Sequence, residues 1–272
     1  MAQNVRIGLT RNDQSAEKAY DNCSPIYDEW NGENDYELWV GEILLPELSK
    51  FGLPRSGWAL DVGCGTGRAF QPLLDRGWKV VGCDVSSGML RAAQRKFGSQ
   101  VRLLKLDARS LPAIAREPGP TGGEAFQLVL LLNDVVNYLV DDCDLVGVFS
   151  GVRKNLSRRN GLVVFDSNTL RQFQDEYASS DPTTRGDWIW RGLAENVVAG
   201  GTYEASLSGP RIDAHLHRQR HWLPTEVEAA MEAGGLCLLT VIGQHESEGR
   251  VFLSDDPDEL RDAKFLFVGS AF

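Results

Sequence analysis

The feature that most constrains the fold of this chain is a glycine-rich turn, LDVGCGTGR, at residues 60–68. It follows a short apolar stretch that predicts a strand, and it leads into a segment, 67–75, that predicts a helix. A glycine turn in this context is typical of nucleotide binding. Gly63, Gly65 and Gly67 permit a tight turn and a close approach to a ligand, and the helix N-terminus offers free N–H groups.

Apolar strands and amphipathic helices alternate on both sides of this turn. The strand pattern covers residues 58–62, 79–83, 101–106, 126–132 and 162–165, with helices between the strands. Such alternation predicts an α/β fold, with a Rossmann-like, doubly wound and mostly parallel sheet. The ligand crevice of such a sheet lies at the carboxyl ends of its strands, near the switch in strand order. A loop rich in glycine and proline, 118–123, is expected to be a surface insertion.

The pattern changes between residues 171 and 222, where short alternating stretches are broken by glycine and proline. We interpret this part as an antiparallel β layer inserted over the active site. Beyond it, a helix and two strands near 236–242 and 264–270 are expected, with a long polar connection between the strands. The sequence therefore predicts that the chain has three parts: an N-terminal lid and cofactor-binding core at 1–170, a substrate-covering β subdomain at 171–222, and a segment that completes the core at 223–272.

Charge and cysteine content exclude several classes of protein. The chain has 28 basic and 38 acidic residues, a formal net charge of −10, which argues against nucleic acid or an anionic membrane as a partner. No apolar run reaches the roughly 18 residues needed to span a membrane, and the N-terminus does not resemble a signal peptide. Five cysteines without CxxC spacing predict neither disulfides nor zinc, so we expect a cytoplasmic protein.

The spacing of the turn and three acidic residues indicate which ligand it binds. The glycines follow G-x-G-x-G, not the G-x-G-x-x-G of dinucleotide folds, and the Lys-Ser/Thr of a phosphate loop is absent. Asp61 would repel a pyrophosphate but suits an ammonium group. Asp84 can accept hydrogen bonds from a ribose diol, and Asp107 from an adenine amino group. S-adenosylmethionine, which has an amino-acid tail and no phosphate, meets all three requirements.

With these motifs the chain resembles class I S-adenosylmethionine-dependent methyltransferases, from about residue 15 to 170 and in the final strands. YDEW (27–30), NDVVNYL (133–139) and FDSNT (165–169) resemble the branch that methylates small metabolites and natural products. In that branch an N-terminal segment and an inserted β layer cover the substrate. The resemblance implies cofactor contacts at Tyr27, Trp39, Asp61, Gly63, Cys64, Gly65, Asp84, Val85, Met89, Asp107, Ala108 and Asn133.

Two segments supply candidates for the acceptor side. After the fourth strand, Asp134 is a candidate catalytic residue, and Asn137 and Tyr138 are candidate substrate contacts. In RIDAHLHRQRHW (211–222), alternation places three of the four histidines on one polar face with Asp213 and Gln219. Of these histidines, we predict His215 and His217 as catalytic. Alternatively, this face meets solvent. No carboxylate cluster accompanies the His-x-His pair, so no metal is expected.

The sequence therefore predicts a transferase that moves a methyl group from S-adenosylmethionine to a nitrogen or oxygen atom of a small molecule, a natural-product intermediate. The absence of a [DN]-P-P-[YF] motif disfavours a nucleic-acid substrate. Three alternatives stay open: a protein or peptide methyltransferase, a nicotinamide-dependent oxidoreductase, and an S-adenosylmethionine-binding protein without transfer activity. We expect a monomer or a homodimer. The acceptor, the methylated atom and the number of methyl groups stay open.

Overall fold

The computed structural model describes residues 16–32, 34–114, 125–178, 182–247 and 250–272. Within these ranges, no helix combines the length and the apolar character that a membrane span requires. The expected surface insertion at 118–123 and the first 15 residues lie outside the described residues.

The described helices and strands follow one another as the alternation predicts in the first half of the chain. The helices are α1 (Ala16–Cys23), α2 (Tyr27–Trp30), a π-helix (Glu37–Leu44) continued by α3 (Leu45–Ser49), α4 (Phe70–Asp75), α5 (Ser87–Phe97), α6 (Asp142–Asn155), α7 (Leu170–Tyr177) and α8 (Pro224–Ala233). Short 3₁₀ helices span Gly98–Gln100, Ala108–Ser110 and Val135–Tyr138. The strands are β1 (Trp58–Val62), β2 (Lys79–Asp84), β3 (Arg102–Lys105), β4 (Leu128–Leu131), β5 (Leu162–Asn168), β6 (Thr183–Arg185), β7 (Trp188–Gly192), β8 (Thr202–Gly209), β9 (Ile212–Arg220), β10 (Leu236–Ser247), β11 (Arg250–Ser254) and β12 (Lys264–Ala271).

The larger of the two sheets is built from eight strands in the order β11-β10-β12-β5-β4-β1-β2-β3. Strands β1 to β5 pair in parallel, and β12, β10 and β11 extend the sheet in antiparallel pairs. The chain order reverses where β4 and β2 flank β1, so the ligand crevice is expected at the carboxyl ends of β1 and β4.

Apolar layers cover both faces of this sheet. One layer lies beneath α6 and α8 and includes Phe149 and Val227, and the other lies beneath the π-helix and α4 and includes Leu44 and Phe70. All four residues of β4, LVLL, are buried, as expected for a parallel strand covered on both faces. The predicted α/β fold class is thus confirmed.

The second sheet has the order β6-β7-β8-β9 and is antiparallel throughout. Helix α1 packs against β9. Trp222, directly after β9, donates its indole N–H to the carbonyls of Val136 and Leu139 at 3.1 and 3.0 Å. These contacts hold the antiparallel sheet over the segment that follows β4. The division of the chain into three functional parts stays a prediction.

Two segments differ from the sequence-based expectation. Residues 170–177, expected at the edge of the β layer, form α7, because Thr169 caps the helix and Phe173 and Tyr177 bury one face four residues apart. The polar connection expected at 245–262 instead continues β10 to Ser247 and contains β11. The pair β10–β11 forms one edge of the large sheet, where the sequence predicts a loop.

Candidate active site

The glycine turn is held against β2 by its backbone. Gly63 and Cys64 donate their N–H groups to the carbonyl of Cys83 at 2.8 and 3.0 Å. Gly63 has a φ of +73°, and a Cβ on it would lie 2.6 Å from a methyl carbon of Val135. Only glycine tolerates both the left-handed backbone and this close approach.

Two buried carboxylates lie beside the turn. The carboxylate of Asp84 accepts the N–H groups of Gly65 at 2.8 Å and Ser86 at 2.7 Å, and each of its oxygens retains capacity for a further hydrogen bond. Burial raises the pKa of Asp84. Burial and the nearby Asp84 raise the pKa of Asp61 to about 7. In the described part of the chain neither carboxylate has an ion-pair partner, so their surroundings favour a cationic ligand.

Two cavities meet at the carboxyl ends of β1 and β4. The smaller cavity, of about 310 Å³, is lined by Gly63 and Gly65 of the turn, by Asp84, and by the segment 106–109 after β3. The larger cavity, of about 660 Å³, extends under the antiparallel sheet. The wall common to both consists of Tyr20, Tyr27, Leu132, Asn133, Tyr138 and His217. Ligands in the two cavities would therefore meet at this common wall.

A strained turn follows β4 and forms part of the common wall. Asn133 and Asp134 both have left-handed backbones, with φ of 66° and 57°. Asp166, at the end of β5, accepts the N–H of Asn133 at 2.9 Å and also the N–H of Asp134. Because non-glycine residues adopt this conformation at a cost, the buried Asp166 carboxylate stabilises a turn that aims Asp134 into the larger cavity.

Asp134 belongs to a buried group of charges. Its carboxylate accepts the side-chain amide of Gln219 and lies 3.7 Å from the ammonium nitrogen of Lys264. Lys264 also lies 3.4 Å from Asp166. Burial raises the pKa of Asp134 to about 6, against the lowering effect of Lys264. Burial works to lower the pKa of Lys264, but the Asp166 and Asp134 carboxylates outweigh it and raise that pKa.

His217 lies on the common wall between aromatic rings. Its Nδ1 is 2.8 Å from the hydroxyl of Tyr138, and its ring centroid lies 4.9 Å from that of Trp190 and 5.8 Å from that of Tyr20. Burial lowers the pKa of His217 to about 3, so its imidazole is neutral near pH 7. The three histidines and Gln219 of the predicted face are buried and only Asp213 is exposed, contrary to the alternative in which this face meets solvent.

Most of the residues chosen from the sequence line one cavity or both. The smaller cavity has Gly63, Gly65, Asp84, Val85, Asp107 and Ala108, the larger has Trp39 and Asp134, and both have Tyr27, Asn133, Tyr138 and His217. Their roles in binding or catalysis stay predictions.

Asn137 does not lie on either cavity wall. It is fully buried, and its amide nitrogen donates to Ser167 Oγ at 3.1 Å and to the carbonyl of Arg220 at 2.8 Å. Its amide oxygen accepts the N–H of Asn168 at 3.0 Å. Both amide protons are used, so Asn137 joins β5 to β9 and is not placed to contact substrate.

Four other candidates do not line either cavity, and their expected roles stay predictions. Met89 is fully buried, in the same apolar cluster as Cys23 at the end of α1. The side chain of Cys64 points into the apolar layer under the turn. Asp61 is buried at the end of β1, 3% exposed. His215 lies behind His217, 5.0 Å between ring centroids, with its Nδ1 2.8 Å from the carbonyl of Asp213.

Sequence reasoning missed several wall residues, namely Tyr20, Asp166, Glu176, Trp190 and Lys264. Asp166 had a usable signal, because it follows the same rule of an acidic residue at a strand end as Asp84. Lys264 had none. It begins β12, and only the antiparallel register that pairs Lys264 with Asn168 brings it to the carboxyl end of β5.

Comparison with known proteins agrees with this architecture. The family described as a methyltransferase domain matches residues 59–159. A protein of Geobacillus sp. (strain WCH70) named "Putative methyltransferase" is 28% identical over 240 residues, covering 84% of this chain and 93% of that protein. An S-adenosylmethionine-dependent methyltransferase from Clostridium acetobutylicum has a TM-score of 0.68 at 19% identity and covers 93% of this chain and 99% of that one. The CcbJ methyltransferase from Streptomyces caelestis has a TM-score of 0.67 at 20% identity, with coverage of 93% and 97%.

The parallel sheet, the glycine turn and the acidic residues at the strand ends define a Rossmann-like methyltransferase fold. Residues 59–159 match the methyltransferase-domain family, and the chain shares the fold of solved S-adenosylmethionine-dependent methyltransferases, in agreement with the resemblance of its motifs.

The ionisation of Asp134 provides a test of the buried charge group. We expect the Asp134 carboxylate to titrate near pH 6 and to lose its charge as the pH falls through that value. Lys264→Met should raise the pKa further, because the ammonium group favours the ionised carboxylate. The measurement is a ¹³C NMR titration of carboxylate-labelled aspartate, with the signal assigned by Asp134→Asn. The exposed Lys154→Met is the control and should leave the pKa unchanged.

A downward shift of the Asp134 pKa in Lys264→Met, or no shift at all, would contradict the arrangement. Thermal unfolding of both variants separates this outcome from a loss of the fold.

Proposed function

We propose that the protein transfers a methyl group from S-adenosylmethionine in the smaller cavity to a nitrogen or oxygen atom of a small molecule in the larger cavity. The observation that carries the proposal is the wall common to the two cavities, formed around Tyr27, Asn133 and Tyr138. Ligands in the two cavities would lie next to each other at this wall. In-line transfer of a methyl group between them needs such proximity.

The residues of the smaller cavity fit the adenosyl part of the donor. The Asp84 carboxylate accepts the ribose hydroxyls beside the two N–H groups it already holds. Arg109 occupies the carboxylate of Asp107 with hydrogen bonds of 2.6–3.0 Å, so the backbone at Asp107 and Ala108 is better placed to meet the adenine. Asp61 supplies negative charge near the amino-acid tail.

The chemistry of the bound donor leaves the protein a limited set of tasks. S-adenosylmethionine supplies an already activated methyl group on its sulfonium. The protein aligns the acceptor atom with that methyl group and excludes water from it. Tyr20 and Tyr27 close the common wall from the N-terminal side, with 6.0 Å between ring centroids. In this proposal Asp134 takes a proton from the acceptor, and the neutral His217 orients the acceptor.

The larger cavity favours a small acceptor over a protein chain. Its lining comes from α1, α7, the antiparallel sheet and β11, through Tyr20, Glu176, Trp190 and Val251. A pocket bounded by these elements and of about 660 Å³ suits a ligand of limited size, whereas a peptide needs an extended groove. Solved structures that share the fold include an amino pentose methyltransferase and a sugar N-methyltransferase, which supports a role in natural-product biosynthesis.

The proposal is tested by calorimetric titration of the purified protein with S-adenosylhomocysteine, the product of the donor, and in parallel with NADH. We expect S-adenosylhomocysteine to bind with a dissociation constant on the order of micromolar and NADH to give no heat of binding. Binding of NADH alone would favour a nicotinamide-dependent oxidoreductase, since a carboxylate after β2 also suits the ribose of that cofactor. Binding of neither ligand would overturn the assignment of the smaller cavity.

A further inference from the structure

The wall of the larger cavity has more acidic than basic side chains. Asp134, Asp166 and Glu176 contribute three carboxylates to its wall, and Lys264 contributes one ammonium group that the first two already engage. Glu176 faces the same space from α7, where Gln172, one helical turn earlier, hydrogen-bonds its carboxylate. A positively charged ligand would balance this excess.

The other cations of the wall do not remove that excess. Arg171 lies at the rim with 47% of its side chain exposed, where it pairs with Asp175 at 3.7 Å. The guanidinium of Arg185 lies 5.2 Å from the ring centroid of Trp30. Burial raises the pKa of Glu176 to about 7 despite Arg185. A cationic ligand beside Glu176 would favour the ionised form of its carboxylate.

Two buried side chains present unpaired polar atoms in this region. Asn168 and His217 line the larger cavity, and each is only 4% exposed. Among the described residues, Asn168 Oδ1 and His217 Nε2 have no hydrogen-bond partner. An unpaired buried acceptor costs free energy, so the Asn168 oxygen points to a ligand that donates hydrogen bonds.

Aromatic rings complete the wall around these acceptors. Tyr20, Tyr138 and Trp190 all line the larger cavity, and the rings of Tyr20 and Tyr138 pack edge to face at 5.2 Å. Aromatic faces attract a cation by about 0.5–2 kcal/mol, and the attraction is larger when the cation is desolvated. Carboxylates and aromatic rings thus favour the same kind of ligand.

We propose that the acceptor atom is the nitrogen of an amine, which enters as an ammonium group and is held by Glu176, Asp134 and the amide oxygen of Asn168. This inference rests on the methyltransferase function proposed above. An ammonium group has three donors and no acceptor, which matches a site rich in acceptors. A hydroxyl group has one donor and would leave acceptors of this site unpaired.

The carboxylates also perform the step that an ammonium group requires. The nitrogen loses one proton to the carboxylate of Asp134 or Glu176, which frees its lone pair. That lone pair forms the N–C bond to the methyl group as the C–S bond breaks, and the electrons of the broken bond stay on sulfur. The positive charge passes from sulfur to nitrogen, so the methylated product is again an ammonium ion within the same carboxylates.

The test compares two probes of nearly equal size, cyclohexylammonium and cyclohexanol, with protein saturated by S-adenosylhomocysteine. Dissociation constants are measured by ligand-observed NMR at about pH 8, where the amine is protonated and the carboxylates are ionised. We expect the ammonium probe to bind at least about tenfold more tightly, because charge-assisted hydrogen bonds exceed neutral ones. Glu176→Gln should reduce this preference to about threefold or less. Glu228→Gln, an exposed substitution of the same charge on α8, should leave it unchanged.

The outcomes separate the two proposals. Equal binding of both probes, or failure of the ammonium probe to bind the loaded wild-type protein, overturns the amine inference and leaves the methyltransferase function standing. Failure of S-adenosylhomocysteine itself to bind counts against the methyltransferase function. Glu176→Gln should bind S-adenosylhomocysteine as the wild type does, because Glu176 does not line the smaller cavity. The wild-type comparison decides the question even if that variant fails to fold.

Discussion

Asp84→Ala should weaken the binding of S-adenosylhomocysteine by about 100-fold or more. The carboxylate of Asp84 holds the N–H groups of Gly65 and Ser86, and in our proposal it also accepts the ribose hydroxyls. Its removal therefore costs ligand hydrogen bonds and also loosens the turn that shapes the smaller cavity. Calorimetric titration of the variant beside the wild type measures the change.

The control for this experiment is Glu232→Ala, which removes an exposed carboxylate on α8. It should bind S-adenosylhomocysteine with the wild-type dissociation constant. If Asp84→Ala also retained that constant while its circular dichroism spectrum stayed native, the ribose contact would be wrong. The smaller cavity would then need another explanation.

The second large effect is expected in Asp166→Ala, which should lower the free energy of unfolding by about 3–5 kcal/mol. The change leaves the N–H groups of Asn133 and Asp134 without their shared acceptor and removes one of the two carboxylates beside Lys264. Both N–H groups belong to residues with left-handed backbones, which cost free energy, so the loss of their shared acceptor should destabilise the turn. Urea unfolding gives the free energy.

Asp166→Asn provides a graded comparison, because its single carbonyl oxygen still accepts one of the two N–H groups. We expect it to lose less stability than the alanine variant. Asp187→Ala, on an exposed turn, should stay within about 0.5 kcal/mol of the wild type. A change that small in Asp166→Ala would mean that the turn after β4 does not depend on this carboxylate.

Local pattern was sufficient for much of the fold. The apolar stretch of β4 and the capped, amphipathic helix that begins after Ser86 are readable from a few neighbouring residues. Segment 170–177 was harder, because its glutamines and acidic residues obscure the two aromatic residues that form the buried face of α7. Strand β11 was missed for a related reason. Its short apolar run, VFL, lies within an otherwise polar connection, and pairing with β10 stabilises it.

The sequence by itself determined the class of fold, the glycine turn and the row of acidic residues at strand ends. It could do so because parallel strands end at one edge of a sheet, so a motif after each strand predicts proximity without knowledge of packing. Asp84 and Asp107 follow this rule, and both line the smaller cavity.

Only the tertiary structure decided which polar residues line the cavities and which lie behind their walls. Strand alternation predicts that His215 and His217 share one face of β9. The packing of α1 and of the segment Val135–Tyr138 against β9 determines that His217 lines both cavities and His215 neither. Register brought Lys264 to Asp166, across nearly a hundred residues of chain. The physical reason is that hydrogen bonding and charge act between atoms a few ångströms apart, whereas sequence pattern reports periodicity along one segment.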